Sequence, residues 1–138
     1  MVCRGVRLTF VDLASRLADV SVPFGTLEAF EPKLLKRYPT LPAWPADSQL
    51  ALCLMAWVRG PGFRSDGFRR AVSGLVPDFR SAAVGCRMSD WGHSGIATLN
   101  GWVGHLFLNG QWVLDWGLRP ELIYFPIRLD DFKKGERS

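Results

Sequence analysis

The nine residues from Leu50 to Val58 are apolar without a break, and this run constrains the fold more than any other feature of the chain. It is far too short to cross a bilayer, which takes about 20 apolar residues in a helix. As a helix it is apolar on every side, so it has to be buried on most of them. The residues before it, Ala46-Asp47-Ser48, supply a start, with Asp47 or Ser48 able to cap the first turn. Arg59-Gly60-Pro61-Gly62 ends it. A chain of 138 residues, 48% apolar and 22% charged, has the material to cover such a helix within one domain.

The rest of the first half also reads helical. Thr9 is placed to cap a segment in which Phe10, Leu13, Ala14 and Leu17 fall at helical spacing. Pro23 and Gly25 break it, and Thr26 opens a second amphipathic stretch with Leu27, Phe30, Leu34 and Leu35. Three prolines between Pro39 and Pro45 then exclude regular structure and make this stretch a connector. Ser65-Asp66 caps a fourth helix through Phe68, Ala71, Val72 and Leu75, closed by Pro77.

Beyond Pro77 the pattern reads as strands: Arg80 to Met88, Trp102 to Leu108, Gln111 to Trp116 and Leu122 to Leu129, the last with Pro126 at an edge or bulge. Asn109-Gly110 between two of them is a hairpin signal. The expectation is an α+β fold, with N-terminal helices and a central buried helix packed on a small antiparallel sheet. A single domain 1–138 divides into a helical part over about 1–77, a sheet part over about 78–129 and a charged tail 130–138. There is no internal repeat.

The net charge is +4, and 13 of the 17 basic residues are arginine. These arginines are scattered from Arg4 to Arg137 and do not form the clustered basic face that nucleic-acid binding requires. The first residues lack the basic-then-apolar layout of a secretory signal, so a cytoplasmic protein with no membrane segment is expected. Cys3, Cys53 and Cys86 are odd in number and form no CxxC pair, which argues against disulfide, zinc-ribbon and redox readings.

Two histidines bear on chemistry. His93 lies in Gly-His-Ser-Gly-Ile, which lacks the final glycine of a nucleophile elbow and has no helix after it. His105 lies in an expected strand, with Asp115 in the next one across the Asn109-Gly110 turn. A carboxylate beside an imidazole sets its tautomer and stabilises its charged form. The plain alternative is a satisfied, half-buried histidine and a strand-end aspartate. Cys86, His93, His105 and Asp115 are acceptable zinc ligand types, but no pair has the short spacing of a metal site, and none is expected.

The stretch from Gly104 to Asp115 resembles the His-to-Asp hairpin of papain-like and transglutaminase-like cysteine enzymes. The resemblance covers about residues 46–120. It implies a nucleophile at the start of the central helix, where unpaired N–H groups favour a thiolate. Here that position holds Ser48, with Gln49 as oxyanion donor, His105 as base and Asp115 orienting it. Ser48 is then an engineered replacement of cysteine or the mark of an inactive relative; alternatively Cys53 is the nucleophile. Five residues on a helix turn through about 140° net, so Ser48 and Cys53 point to different faces. A tight two-residue turn at Asn109-Gly110 puts His105 and Asp115 on opposite sheet faces, so the triad requires a bulged turn.

The resemblance implies a thiol-type hydrolase or acyl transferase acting on an amide bond, with no cofactor and a protein or peptide substrate. The alternative is a non-catalytic module that binds a protein partner through its aromatic-rich, arginine-bearing second half. A small phage, toxin or immunity-type protein fits that description.

Overall fold

The structure is a computed structural model that describes residues 4–16, 27–59, 66–74, 76–85 and 94–131. Helix α1 spans Arg4–Arg16, α2 Leu27–Arg37, α3 Ala46–Arg59, α4 Asp66–Val72, α5 Phe79–Gly85 and α6 Ser94–Trp116, with a 3-10 turn at Leu41–Ala43. Among the described residues there is no strand, so the expected α+β fold with an antiparallel sheet, and with it the papain-like architecture, is corrected to an all-helical one.

Helix α3 is the axis of the core, and every residue from Ala46 to Trp57 is buried. A helix that is apolar on all sides has to be surrounded, and α1, α2 and α6 surround it. Helix α1 lays Val6, Phe10 and Leu13 on it, and α2 adds Leu27, Phe30 and Leu34. The Phe10 ring meets Phe30 at 6.0 Å and Trp57 at 5.8 Å, both edge to face. Helix α1 begins at Arg4, so Thr9 lies in its interior and caps nothing. A half-buried ion pair ties the two outer helices: the buried Glu31 of α2 is paired with the partly exposed Arg7 of α1.

The second half differs most from its sequence reading. The expected strands 102–108 and 111–116 are one helix of 23 residues that runs straight through Asn109-Gly110. The expected strand 80–88 is helical from Phe79 to Gly85, and its last residues lie outside the described ones. The expected strand 122–129 is an irregular strap of turns. The physical reason is burial. Leu99, Val103, Leu106, Gly110 and Val113 recur at alternating spacings of four and three, and all are buried. Helix α6 packs on α3 and α5, and packing overrides the weak helix propensity of the glycine, valine and aromatic residues along it.

Gly110 is required at the crossing of α3 and α6. A Cβ added there would sit 1.7 Å from Ser48 Oγ and 3.1 Å from Ser48 Cβ, so with the Ser48 hydroxyl turned toward α6 the crossing leaves no room for a side chain at position 110. Aromatic contacts then link α6 to the shorter helices. Phe107 stacks on Phe79 of α5 at 6.1 Å and meets Phe68 of α4 at 5.4 Å, while Phe79 meets Trp44 at 5.2 Å.

Gly110→Ala is expected to destabilise the chain by about 1–3 kcal/mol through overpacking, measured by urea denaturation. In a double-mutant cycle with Ser48→Gly, the two changes should couple by about 1 kcal/mol or more, in the sense that removing the serine relieves the alanine.

Candidate functional site

Two arrangements stand out, a polar clasp in the interior and an apolar groove at the surface. The first is a clasp that pins the strap after α6. Asn109 is 1% exposed and uses its whole amide: Nδ2 donates to Asp47 Oδ2 at 2.9 Å and to the Ile127 carbonyl at 2.7 Å, and Oδ1 accepts from the Leu129 N–H at 3.1 Å. Asp47 Oδ1 accepts from the Tyr124 N–H at 2.8 Å. His105 Nε2 lies 3.0 Å from the same Ile127 carbonyl, and its ring is 5.0 Å from that of Phe125. The Ala46 N–H at the start of α3 donates to the Pro120 carbonyl at 2.6 Å. Asp47 thus holds the strap and does not serve as an ordinary helix cap.

The residues assigned to a triad are dispersed. His105 and Asp115 lie ten positions apart on one helix, about 15 Å along its axis. No hairpin turn, bulged or tight, exists to bring them together. Asp115 Oδ1 accepts from Gln111 Nε2 at 2.9 Å, one helical turn away. Ser48 faces Gly110, and its hydroxyl is buried with no hydrogen-bond partner among the described residues. Gln49 Nε2 points back into the proline segment, toward the carbonyls of Leu41, Pro42 and Trp44 at 3.0–3.3 Å, and not toward a cleft. Cys53 is fully buried, and burial, with the nearby Glu31 charge, pushes its thiol up and away from a reactive thiolate. His93, Cys3 and Cys86 lie outside the described residues. Among the described residues no group of three or more His, Cys, Asp or Glu side chains is placed to hold a metal ion, and no helix is long and apolar enough to cross a membrane.

The second arrangement is open to solvent. A groove of about 350 Å³ lies between the proline segment, the start of α5 and the end of α6. Pro39, Pro42, Pro45 and Trp44 form one wall, and Val76, Pro77 and Leu114 form the other. Val76 is 79% exposed and Leu114 is 40% exposed. Gln49 occupies the inward carbonyls of the wall, and Trp44 Nε1 is bonded to Thr40 Oγ1 at 3.0 Å, so the wall's polar groups are already committed. What remains to meet an occupant is largely apolar. In the sequence the prolines mark only a connector; the signal of the groove is three prolines around a single tryptophan, Trp44, between two helices.

Two further outcomes follow from these placements. Burial holds the Asp47 carboxyl at about 6, above its usual 3.8, although the Asn109 and Tyr124 hydrogen bonds pull it down. The folded chain therefore binds that proton more tightly than the unfolded chain. The stability it confers is complete below pH 3.8 and is lost as pH rises through about 6, a loss of roughly 3 kcal/mol. His105 is shifted down by burial and acts in the opposite direction, losing stability as pH falls below 6.5. In a His105→Gln background, denaturation free energies should therefore decline from pH 4 to 6.5, and adding Asp47→Asn should flatten that decline. The second outcome concerns Ser48. Removing a buried hydroxyl that has no partner is neutral or favourable, so Ser48→Ala should leave the melting temperature unchanged or raise it by a few degrees in calorimetry. No known protein family, curated protein or solved structure matches the chain.

Proposed function

We propose that this chain is a helical protein-binding module whose docking site is the apolar groove between the proline segment and the end of α6. The observation that carries this reading is the exposed Val76, beside Leu114, on the rim of a preformed cavity of about 350 Å³ walled by prolines and Trp44. A preformed apolar pocket is the default place for a ligand or partner segment to dock, and exposed apolar side chains on its border extend the surface it offers. Prolines have no N–H and little freedom to lose, so the wall is ordered before anything binds, which lowers the entropic cost of association.

The wall's chemistry also sets the mode of binding. The carbonyls of Leu41, Pro42 and Trp44 are engaged by Gln49, and the prolines donate nothing. Addition of a partner strand by main-chain hydrogen bonds is therefore disfavoured here, and recognition runs through side chains seated in the groove. An amide-cleaving reading has no such support: the buried Ser48 and Cys53 do not open onto a cleft, and His105 is engaged with the strap.

The test is selection of a displayed library of random linear dodecapeptides on the whole chain, followed by affinity measurement on Val76→Ser/Leu114→Ser. Both positions are exposed enough for the double variant to keep its helical circular dichroism. Selected peptides should share an apolar anchor and bind the variant about tenfold more weakly. Peptides indifferent to these two residues would contradict the proposal.

A further inference from the structure

We infer that the segment seated in the groove is basic, carrying a lysine or arginine within about three residues of its apolar anchor. This rests on the groove being the docking site, and it comes from the recess into which the groove opens. The two share Val76 and Pro77. The recess, of about 410 Å³, is lined beyond them by Asp78, Arg80, Gln111 and Asp115 among others.

The charges in that recess are arranged for a cation. Asp78 is fixed at the start of α5, with Oδ1 accepting the Ser81 N–H at 3.0 Å and Oδ2 the Ser81 hydroxyl at 2.7 Å. Asp115 is set by a relay that crosses from α5 to α6. The Phe79 N–H donates to Gln111 Oε1 at 3.0 Å, and Gln111 Nε2 donates to Asp115 Oδ1 at 2.9 Å. The other oxygen of Asp115 has no partner among the described residues. The cation of the recess, Arg80, lies over the Trp112 ring at 5.2 Å; its charge and its backbone N–H both act on Asp78, and it forms no ion pair with Asp115 among the described residues.

Two carboxylates against one stacked guanidinium leave an acidic recess on a chain whose net charge is +4. To an anionic segment Arg80 offers little, because it is stacked on Trp112 and its charge is already opposed by Asp78. A cationic one meets Asp115 with its carboxylate held in place and half unpaired. Extended chain advances about 3.3 Å per residue, so a side chain anchored between Trp44 and Leu114 has a neighbour over the recess one to three residues on. Recognition is then a hydrophobic anchor with a charged neighbour that sets orientation and sequence preference.

The experiment uses the same dodecapeptide library on the whole chain, on Val76→Ser/Leu114→Ser and on Asp115→Asn, which keeps the Gln111 bond while removing the charge. The expected result is enrichment of lysine or arginine within three positions of an apolar residue. Those peptides should bind Asp115→Asn about three- to fivefold more weakly, the scale of an exposed ion pair, and should lose the same factor when their basic residue is changed to glutamine. The two losses should not add, and both should shrink at 0.5 M salt. Peptides that depend on Val76 and Leu114 but show no basic preference, and bind Asp115→Asn unchanged, would overturn this inference and leave the groove standing. Peptides that ignore Val76 and Leu114 would overturn both. Helical circular dichroism of each variant separates loss of binding from loss of fold.

Discussion

The structure depends on how closely α3 and α6 approach each other. Gly110 supplies the space, since any side chain there would collide with Ser48. One residue away, Asn109 converts the approach into a fixed register by bonding Asp47 of α3 and two backbone groups of the strap. An apolar crossing alone tolerates sliding, because dispersion contacts are individually weak and non-directional. A fully satisfied buried amide does not, because each of its partners would be left bare at a cost of about 1–3 kcal/mol. The strap, the long helix and the central helix are therefore set by one asparagine and one glycine.

This also explains which parts of the fold were readable from the amino acids. The central helix was, because nine consecutive apolar residues permit only a buried element, and the core stripes of α1 and α2 followed from their spacing. The second half was not. Asn-Gly between two apolar stretches is the ordinary mark of a tight turn, and the neighbouring valines and tryptophans favour strands as a local preference. In this chain the same two residues serve a helix crossing. The competing signal was present in Leu99, Val103, Leu106, Gly110 and Val113, a helical stripe that becomes visible only when glycine is counted as a core residue.

The site shows the same division. His105 and Asp115 invited an acid–base reading because a hairpin would have made them neighbours, and the loss of the hairpin separates them along a helix. Ser48 sits at the start of the buried helix as expected, yet its place is decided by packing against Gly110 and not by proximity to an imidazole. Gln49, expected as an oxyanion donor, turns its side-chain amide to the carbonyls of Leu41, Pro42 and Trp44 and shapes the proline wall. The groove itself could not be read from the chain, because its walls come from three segments that are distant in sequence and converge only after folding. Its apolar lining, the committed polar groups behind it and the acidic recess beside it are properties of the assembled surface.

The most direct test of this account is backbone NMR across residues 104–115, combined with nuclear Overhauser contacts at the helix crossing. The account predicts positive Cα secondary shifts without interruption through Asn109 and Gly110, and a contact between the Gly110 Hα protons and the Ser48 Hβ protons. Negative shifts on both sides of Asn109-Gly110, with cross-strand contacts between His105 and Leu114, would restore the hairpin and contradict the helical crossing on which the strap, the clasp and the groove all rest.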